Sequence, residues 1–248
     1  MLRDARLPCA AIALFAVIWP GLAVAGRPLD TEDTSTVESG KAELELSGDF
    51  VRDPGSRSWS AKGVLSLGLL PGLEGRLESD ARLLEPEGKL GRAGIGDSLL
   101  GLKYRVLDET RSMPAMLGAL TLRLPTGDEQ RGLGSGEVDV GLLAAISKAL
   151  GSFVLTVNAG YTFVTRDRGL DVVTLAGSLE YRASGRWALV GEIIGTLGAV
   201  HAPDMSVLRG GVVYAISHRI KVDSAIGAGL TRGSPDVLFT VGVTIGLF

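Results

Sequence analysis

From residue 40 to the end of the chain, apolar and polar side chains alternate with a period of two, and clusters of turn-forming residues interrupt the alternation. The segments read as strands are 40–51, 58–70, 73–84, 95–107, 115–125, 137–148, 153–165, 172–182, 187–198, 206–217, 220–231 and 237–248. In the third, Glu74, Arg76, Glu78, Asp80 and Arg82 share one face, while Leu73, Gly75, Leu77, Ser79, Ala81 and Leu83 share the other. Successive side chains of a strand point to opposite sides, so one side is a row of charges and the other is apolar or small. The first segment sets Lys41, Glu43, Glu45 and Asp49 against Ala42, Leu44, Leu46 and Phe50. The fourth sets Asp97, Lys103 and Arg105 against Leu100, Leu102, Tyr104 and Val106, and the eleventh sets Lys221 and Asp223 against Ile220, Val222 and Ile226.

Taking the apolar face of every segment leaves a single charge on it, Lys148, at a strand end. A soluble β-sandwich tolerates charges on its outer face. Exclusion on every strand points to lipid, where a charged side chain at mid-bilayer costs about 2–4 kcal/mol. The aromatics Phe50, Trp59, Tyr104, Phe153, Tyr161, Phe163, Tyr181, Trp187, Tyr214 and Phe239 all fall on the apolar face, mostly near strand ends. Such residues favour the headgroup level of a membrane. The predicted fold is all-β: a transmembrane, antiparallel, up-and-down barrel of about 12 strands over residues 40–248.

Connections alternate in kind. Pro71-Gly72, Leu150-Gly151-Ser152, Ser184-Gly185 and Ser217-His218-Arg219 read as tight turns. Longer polar loops are expected at 52–57, 85–94, 126–136, 166–171, 199–205 and 232–236. Short periplasmic turns opposite longer external loops are the pattern of outer-membrane barrels, with both termini then periplasmic.

The first residues read differently. Arg3 and Arg6 precede an uncharged apolar run from Cys9 to Trp19, and Ala23-Val24-Ala25 supplies small residues for a signal peptidase. Residues 1–25 are therefore predicted to be a cleaved export signal; the run is too short, and too soon broken by Pro20 and Gly21, for a membrane anchor. Residues 26–39 form an acidic leader expected on the periplasmic side, either as a small plug in the barrel mouth or as a disordered tail.

Composition sharpens this picture. The chain of 248 residues is 46% hydrophobic and 21% charged and contains 35 glycines, which suits fine alternation better than long soluble helices. Its one cysteine is Cys9, so disulfides and thiolate metal sites are excluded from the exported chain. Removal of Arg3, Asp4 and Arg6 takes the formal net charge from −3 to −4, with no basic block to suggest nucleic acid.

Three stretches stand out as motifs: Arg27-Pro28-Leu29-Asp30-Thr31-Glu32-Asp33 with Thr36-Val37-Glu38-Ser39-Gly40-Lys41; Gly96-Asp97 with Gly101-Leu102-Lys103-Tyr104-Arg105; and Leu124-Pro125-Thr126-Gly127-Asp128. The first resembles the N-terminal motif, and the others later motifs, of the outer-membrane family named for the MetA pathway of phenol degradation. The resemblance implies an outer-membrane barrel sometimes assigned to passage of aromatic or other small compounds, and it implies no catalytic residues. The terminal Phe248 resembles the signal by which barrel assembly machinery recognises a last strand, although it shares parity with Thr240, Gly242, Thr244 and Gly246 and not with the apolar Phe239 to Leu247 set.

The candidate lumen residues are the charges of the polar faces. They are Lys41, Glu43 and Glu45 of the first segment, the charges named for the third, fourth and eleventh, and Arg123, Glu180, Arg182, Glu192 and Arg209. Long Arg and Glu side chains can pair across neighbouring strands, either filling the lumen with ion pairs or leaving a constricted, weakly selective pore. The glycines at 127, 132, 134 and 136 do not form a phosphate loop, because a strand and not a helix follows. His201 and His218 fall in loops at opposite ends with no serine–carboxylate arrangement beside them, and Glu137 and Asp139 share a face without identified partners. No catalytic, cofactor or metal residue is predicted. The expected function is transfer of a small solute across an outer membrane; the alternatives are a closed structural or interaction barrel and a lipid-modifying barrel enzyme.

Overall fold

The computed structural model describes residues 27–201 and 203–248; the expected signal at 1–25 lies outside the described residues. The strands are β1 (Ala42–Asp53), β2 (Ser56–Leu70), β3 (Leu73–Pro86), β4 (Arg92–Ile95), β5 (Ser98–Leu107), β6 (Ala115–Leu124) and β7 (Asp139–Leu150). They continue as β8 (Phe153–Phe163), β9 (Val172–Arg182), β10 (Trp187–Gly198), β11 (Met205–Ala215), β12 (Ile220–Gly229) and β13 (Val237–Gly246), with one 3-10 turn at Arg168–Leu170. Each strand pairs antiparallel with its sequence neighbours, and β1 pairs with β13 from Glu43↔Gly246 to Arg52↔Val237, which closes the barrel. The short β4 and β5 both pair with β3 and form one interrupted stave, so thirteen strands make a closed 12-strand barrel. Apart from the short β4 at the loop end, which pairs with β3 alone, every strand is paired on both edges, which is what allows β-structure to cross a bilayer.

Burial is inverted relative to a soluble protein. Glu45, Glu74, Lys103 and Glu192 are 3–7% exposed, whereas Leu77, Leu100, Ile193 and Leu208 are 43–54% exposed. The alternation in the sequence therefore puts charge inside and leucine outside. Phe50, Trp59, Tyr161, Phe163 and Phe239 mark the outer surface near the loop end, and Tyr104, Phe153, Tyr181, Trp187 and Tyr214 mark it near the end carrying the termini. Several of these rings are paired, with centroids 4.5 Å apart for Phe50–Trp59 and Trp187–Tyr214 and 4.9 Å for Phe153–Tyr181. Lys148, the expected outlier, bends to the terminal end, where its ammonium donates to the Thr110 carbonyl (2.6 Å) and pairs with Glu109 (3.0 Å).

Several boundaries differ from expectation. The stave 95–107 breaks at Gly96-Asp97, where pairing to β3 shifts from Glu78↔Leu99 to Ala81↔Ile95; the one extra residue is a bulge that turns Asp97 toward the loop end. The connection expected to be a loop at 52–57 is a two-residue Pro54-Gly55 turn, with Gly55 at φ +80° and strand pairing maintained to Asp53↔Ser56. At the terminal end, residues 108–114 make a longer connection than the tight turns around them. The last strand ends at Gly246; the Leu247 N–H donates to the Ala42 carbonyl (2.9 Å), and Phe248 lies exposed beyond the paired register.

Candidate functional site: a strapped lumen

The acidic leader, for which a plug in the barrel mouth and a disordered tail are the two expectations, runs through the barrel interior. The reason is chemical: its backbone and side chains meet complementary partners on β3, β5, β8 and β10 to β13. From Gly40, whose N–H donates to the Gly68 carbonyl at 2.8 Å, the chain turns inward. A Cβ on Gly68 would sit 2.0 Å from the Glu38 carbonyl oxygen, so this crossing requires glycine. The Val37 N–H donates to Glu74 of β3 at 2.9 Å. Glu32 then bridges Arg76 of β3 (2.9 Å) and Lys103 of β5 (2.7 Å). On the opposite side its backbone is held like a strand residue: its N–H donates to the Asn158 amide oxygen (2.7 Å), and the Asn158 amide donates to its carbonyl (2.8 Å).

Glu192 of β10 is the second anchor. Its carboxylate accepts from the Thr31 N–H (2.8 Å), the Thr31 hydroxyl (2.7 Å) and the Asp30 N–H (3.1 Å). Arg209 of β11 donates to Asp30 (2.7 Å) and to the Pro28 carbonyl (3.2 Å). Arg27 reaches Asp223 of β12 (2.9 Å) and the Thr240 hydroxyl of β13 (3.1 Å), in space left by Gly242. Between these polar contacts, Leu29 packs on the inward-facing Ala188, Val190 and Val213. Thr31 and Thr34 are 3% and 6% exposed.

Within this strap two carboxyls are shifted in opposite directions. Burial pushes Glu32 up, but Lys103 and Arg76 outweigh it and hold the carboxyl below its ordinary range. Asp33 is raised to about 6, because burial outweighs the more distant pull of Lys103 and the adjacent Glu32 adds to the rise.

The remaining candidate residues take several positions. Glu43, Glu45, Glu78 and Lys221 join the inner wall of the same belt, with Glu78 paired to Lys62 at 3.2 Å. Arg105 pairs with Asp108 (2.8 Å) and Arg182 with Glu180 (2.7 Å) toward the terminal end. Toward the loop end Arg82 pairs with Asp80, and Arg123 pairs with Asp139 (3.5 Å). Lys41 does not line the lumen. It precedes the first strand, is exposed, and pairs with Glu38 (2.5 Å) at the mouth. His201 hydrogen-bonds Asp167 (2.8 Å) in the external loops, far from His218 in the 216–219 turn.

Asp97 holds a second closure. Its carboxylate accepts from the Gly127 N–H (3.0 Å) and the Ser135 N–H (2.7 Å), drawing the β6–β7 loop inward. Burial raises this carboxyl, but the two backbone donors outweigh it and hold it below the usual range. Leu133 of that loop is 2% exposed and faces Gly94, where a Cβ would sit 2.7 Å from its side chain.

The strap divides the interior. A cavity of about 260 Å³ and one of about 240 Å³ share Arg27, Leu29 and Thr31 as lining. The first also has Asp49, Lys62 and Arg209 in common with a cavity of about 290 Å³ nearer the loops, while the second reaches Glu109 and Arg182 at the terminal end.

Three solved structures with a similar fold are a channel and two porins. The COG4313 outer membrane channel from Pseudomonas putida F1 aligns with a TM-score of 0.68 at 16% identity, covering 88% of this chain and 100% of that one. The NanC porin (0.59, 12% identity, 82% and 100% covered) and the KdgM porin (0.59, 10%, 83% and 99%) follow. A stretch of 112 residues is 30% identical to the cell division protein FtsX of Streptococcus pneumoniae, over 42% of this chain and about a third (35%) of that protein's length. A family model described as "Putative MetA-pathway of phenol degradation" matches residues 25–247, strap and barrel together, and the chain belongs to that family of outer-membrane barrels.

Proposed function

We propose that this barrel passes small solutes across the outer membrane through its lumen, and that residues 27–35 set its closed state. The observation that carries the proposal is the shared wall: the spaces on the two sides of the strap are separated by Arg27, Leu29 and Thr31. Each space is smaller than the clefts of about 300–1,000 Å³ that take drug-sized ligands, which favours small solutes. The family description makes a small aromatic compound the first solute to test. The polar strap contacts suit a closure that can open, since water can replace hydrogen bonds more readily than it can replace a packed apolar core.

Single-channel recording in a planar bilayer tests this. The full mature chain is expected to give small, infrequent steps, and a form lacking residues 27–35 larger and frequent ones. Silence from both, with heat-modifiable gel migration proving each barrel folded, would favour a closed structural barrel and refute transport.

A further inference from the structure

The outer surface carries a feature that the lumen does not explain. Arg52 and Arg57 lie directly opposite each other on β1 and β2, as the second cross-strand pair below the Pro54-Gly55 turn. They alternate onto the same face as Phe50 and Trp59, whose rings stack at 4.5 Å and whose Trp59 is 51% exposed to the lipid side. Two residues of strand separate the aromatic pair from the arginine pair, roughly 6.6 Å along the strand. The guanidinium groups therefore sit just above the loop-end aromatic girdle, at headgroup height.

Like charges directly opposite one another in a sheet are destabilising, and elsewhere in this barrel most arginines have a carboxylate partner. Among the described residues these two have none. Both are exposed, neither forms an ion pair or side-chain hydrogen bond with a described residue, and Glu85, which faces Arg57 from β3, is not paired with it. The short turn fixes the strands that carry them, so both forks are presented on a rigid support. Two planar five-donor groups side by side match the oxygens of a phosphate. Beneath them, Leu83, Trp59, Phe50, Phe239 and Ile226 form a continuous apolar band across neighbouring strands, suited to acyl chains.

We propose that Arg52 and Arg57 form a binding site for the phosphate of a phosphorylated lipid headgroup in the leaflet at the loop end, with Phe50 and Trp59 as its apolar floor. The bound anion would relieve the repulsion between the arginines and fix the barrel's depth and orientation in the membrane. This site is independent of anything that passes through the lumen.

The test uses the refolded mature chain in micelles doped with bis-phosphorylated lipid A, dephosphorylated lipid A, or inorganic phosphate alone. At about fivefold per basic residue near a membrane surface, R52Q and R57Q are each expected to weaken binding of the bis-phosphorylated lipid about fivefold, and the double variant on the order of thirtyfold. R186Q, at the opposite end, is expected to change nothing. Wild-type affinity in the double variant, or equal binding of the dephosphorylated lipid, overturns the site. Inorganic phosphate binding as tightly as the lipid overturns the lipid assignment. The single variants keep the test informative if the double one folds poorly.

Discussion

Glu32 is the residue on which the seated strap should depend most. Its carboxylate bonds Arg76 at 2.9 Å and Lys103 at 2.7 Å. A hydrogen bond between charged groups contributes about 1.5–3 kcal/mol. The lower end applies to Glu32→Ala, because each cation retains another acidic neighbour: Arg76 has Glu45 at 3.5 Å and Lys103 has Glu74 at 3.7 Å. The loss is then about 3 kcal/mol, which raises the unseated population roughly a hundredfold. Thr34 reports that population, since it is 6% exposed when the strap is seated and residues 26–248 contain no cysteine. In a Thr34→Cys background, Glu32→Ala should speed labelling by a bulky water-soluble maleimide about a hundredfold. Glu32→Gln, which keeps an acceptor but loses the charge, should fall between the two. A labelling rate within about twofold of the parent, in a barrel that still shows heat-modifiable migration, would refute the assignment of Glu32 as an anchor. Fast labelling without a change in conductance would instead separate strap release from channel opening.

Seating should also depend on pH. The Asp33 carboxyl is raised to about 6 in the seated strap against 3.8 in water, so its ionised form opposes seating; that penalty is present above pH 6 and fades as pH falls toward 4, and Thr34→Cys labelling should slow over this interval. Glu32 has the opposite sign: its lowered value means that stabilisation is complete above 4.5 and is lost as pH falls through the seated value, so labelling should accelerate again in stronger acid. Gly134→Ala places a Cβ 2.5 Å from the Asp97 carboxylate and 2.8 Å from the Gly127 backbone; the β6–β7 loop should be displaced, and trypsin should cut at the exposed Arg131 much faster than in the parent. Ile193→Arg, at a 51% exposed position midway along β10, should lower the unfolding free energy in lipid vesicles by about 2–4 kcal/mol, measured by denaturant titration.

The barrel was legible because lipid imposes one rule on every strand. Leu77, Leu100 and Ile193 could be assigned to the outside from alternation alone, since a single misplaced charge is costly there. The rule lapses above the girdle, which is why 52–57 reads as a polar loop although its strands continue to Asp53↔Ser56. It also fails at Gly96-Asp97, where a bulge changes the parity and no composition signal announces it. The strap had no periodicity to read. Its acidic residues were visible, but Glu192 recognises the N–H groups of Asp30 and Thr31, and Asn158 recognises both backbone groups of Glu32; every peptide offers those groups. Asn158 carries no signal in the sequence for the same reason, being one uncharged side chain on a polar face.

The strap also completes the ion pairing of the lumen wall. The wall pairs some of its own charges loosely, with Glu192 3.4 Å from Arg209, Arg76 3.5 Å from Glu45 and Lys103 3.7 Å from Glu74. The strap adds a shorter partner to each and one to Asp223: Thr31 to Glu192, Arg27 to Asp223, and Glu32 to both Arg76 and Lys103. In the opening proposed above, water or a polar solute would take the positions that the strap holds, a state of similar chemistry. Withdrawal would expose groups that water solvates well, which a leucine-packed plug would not do.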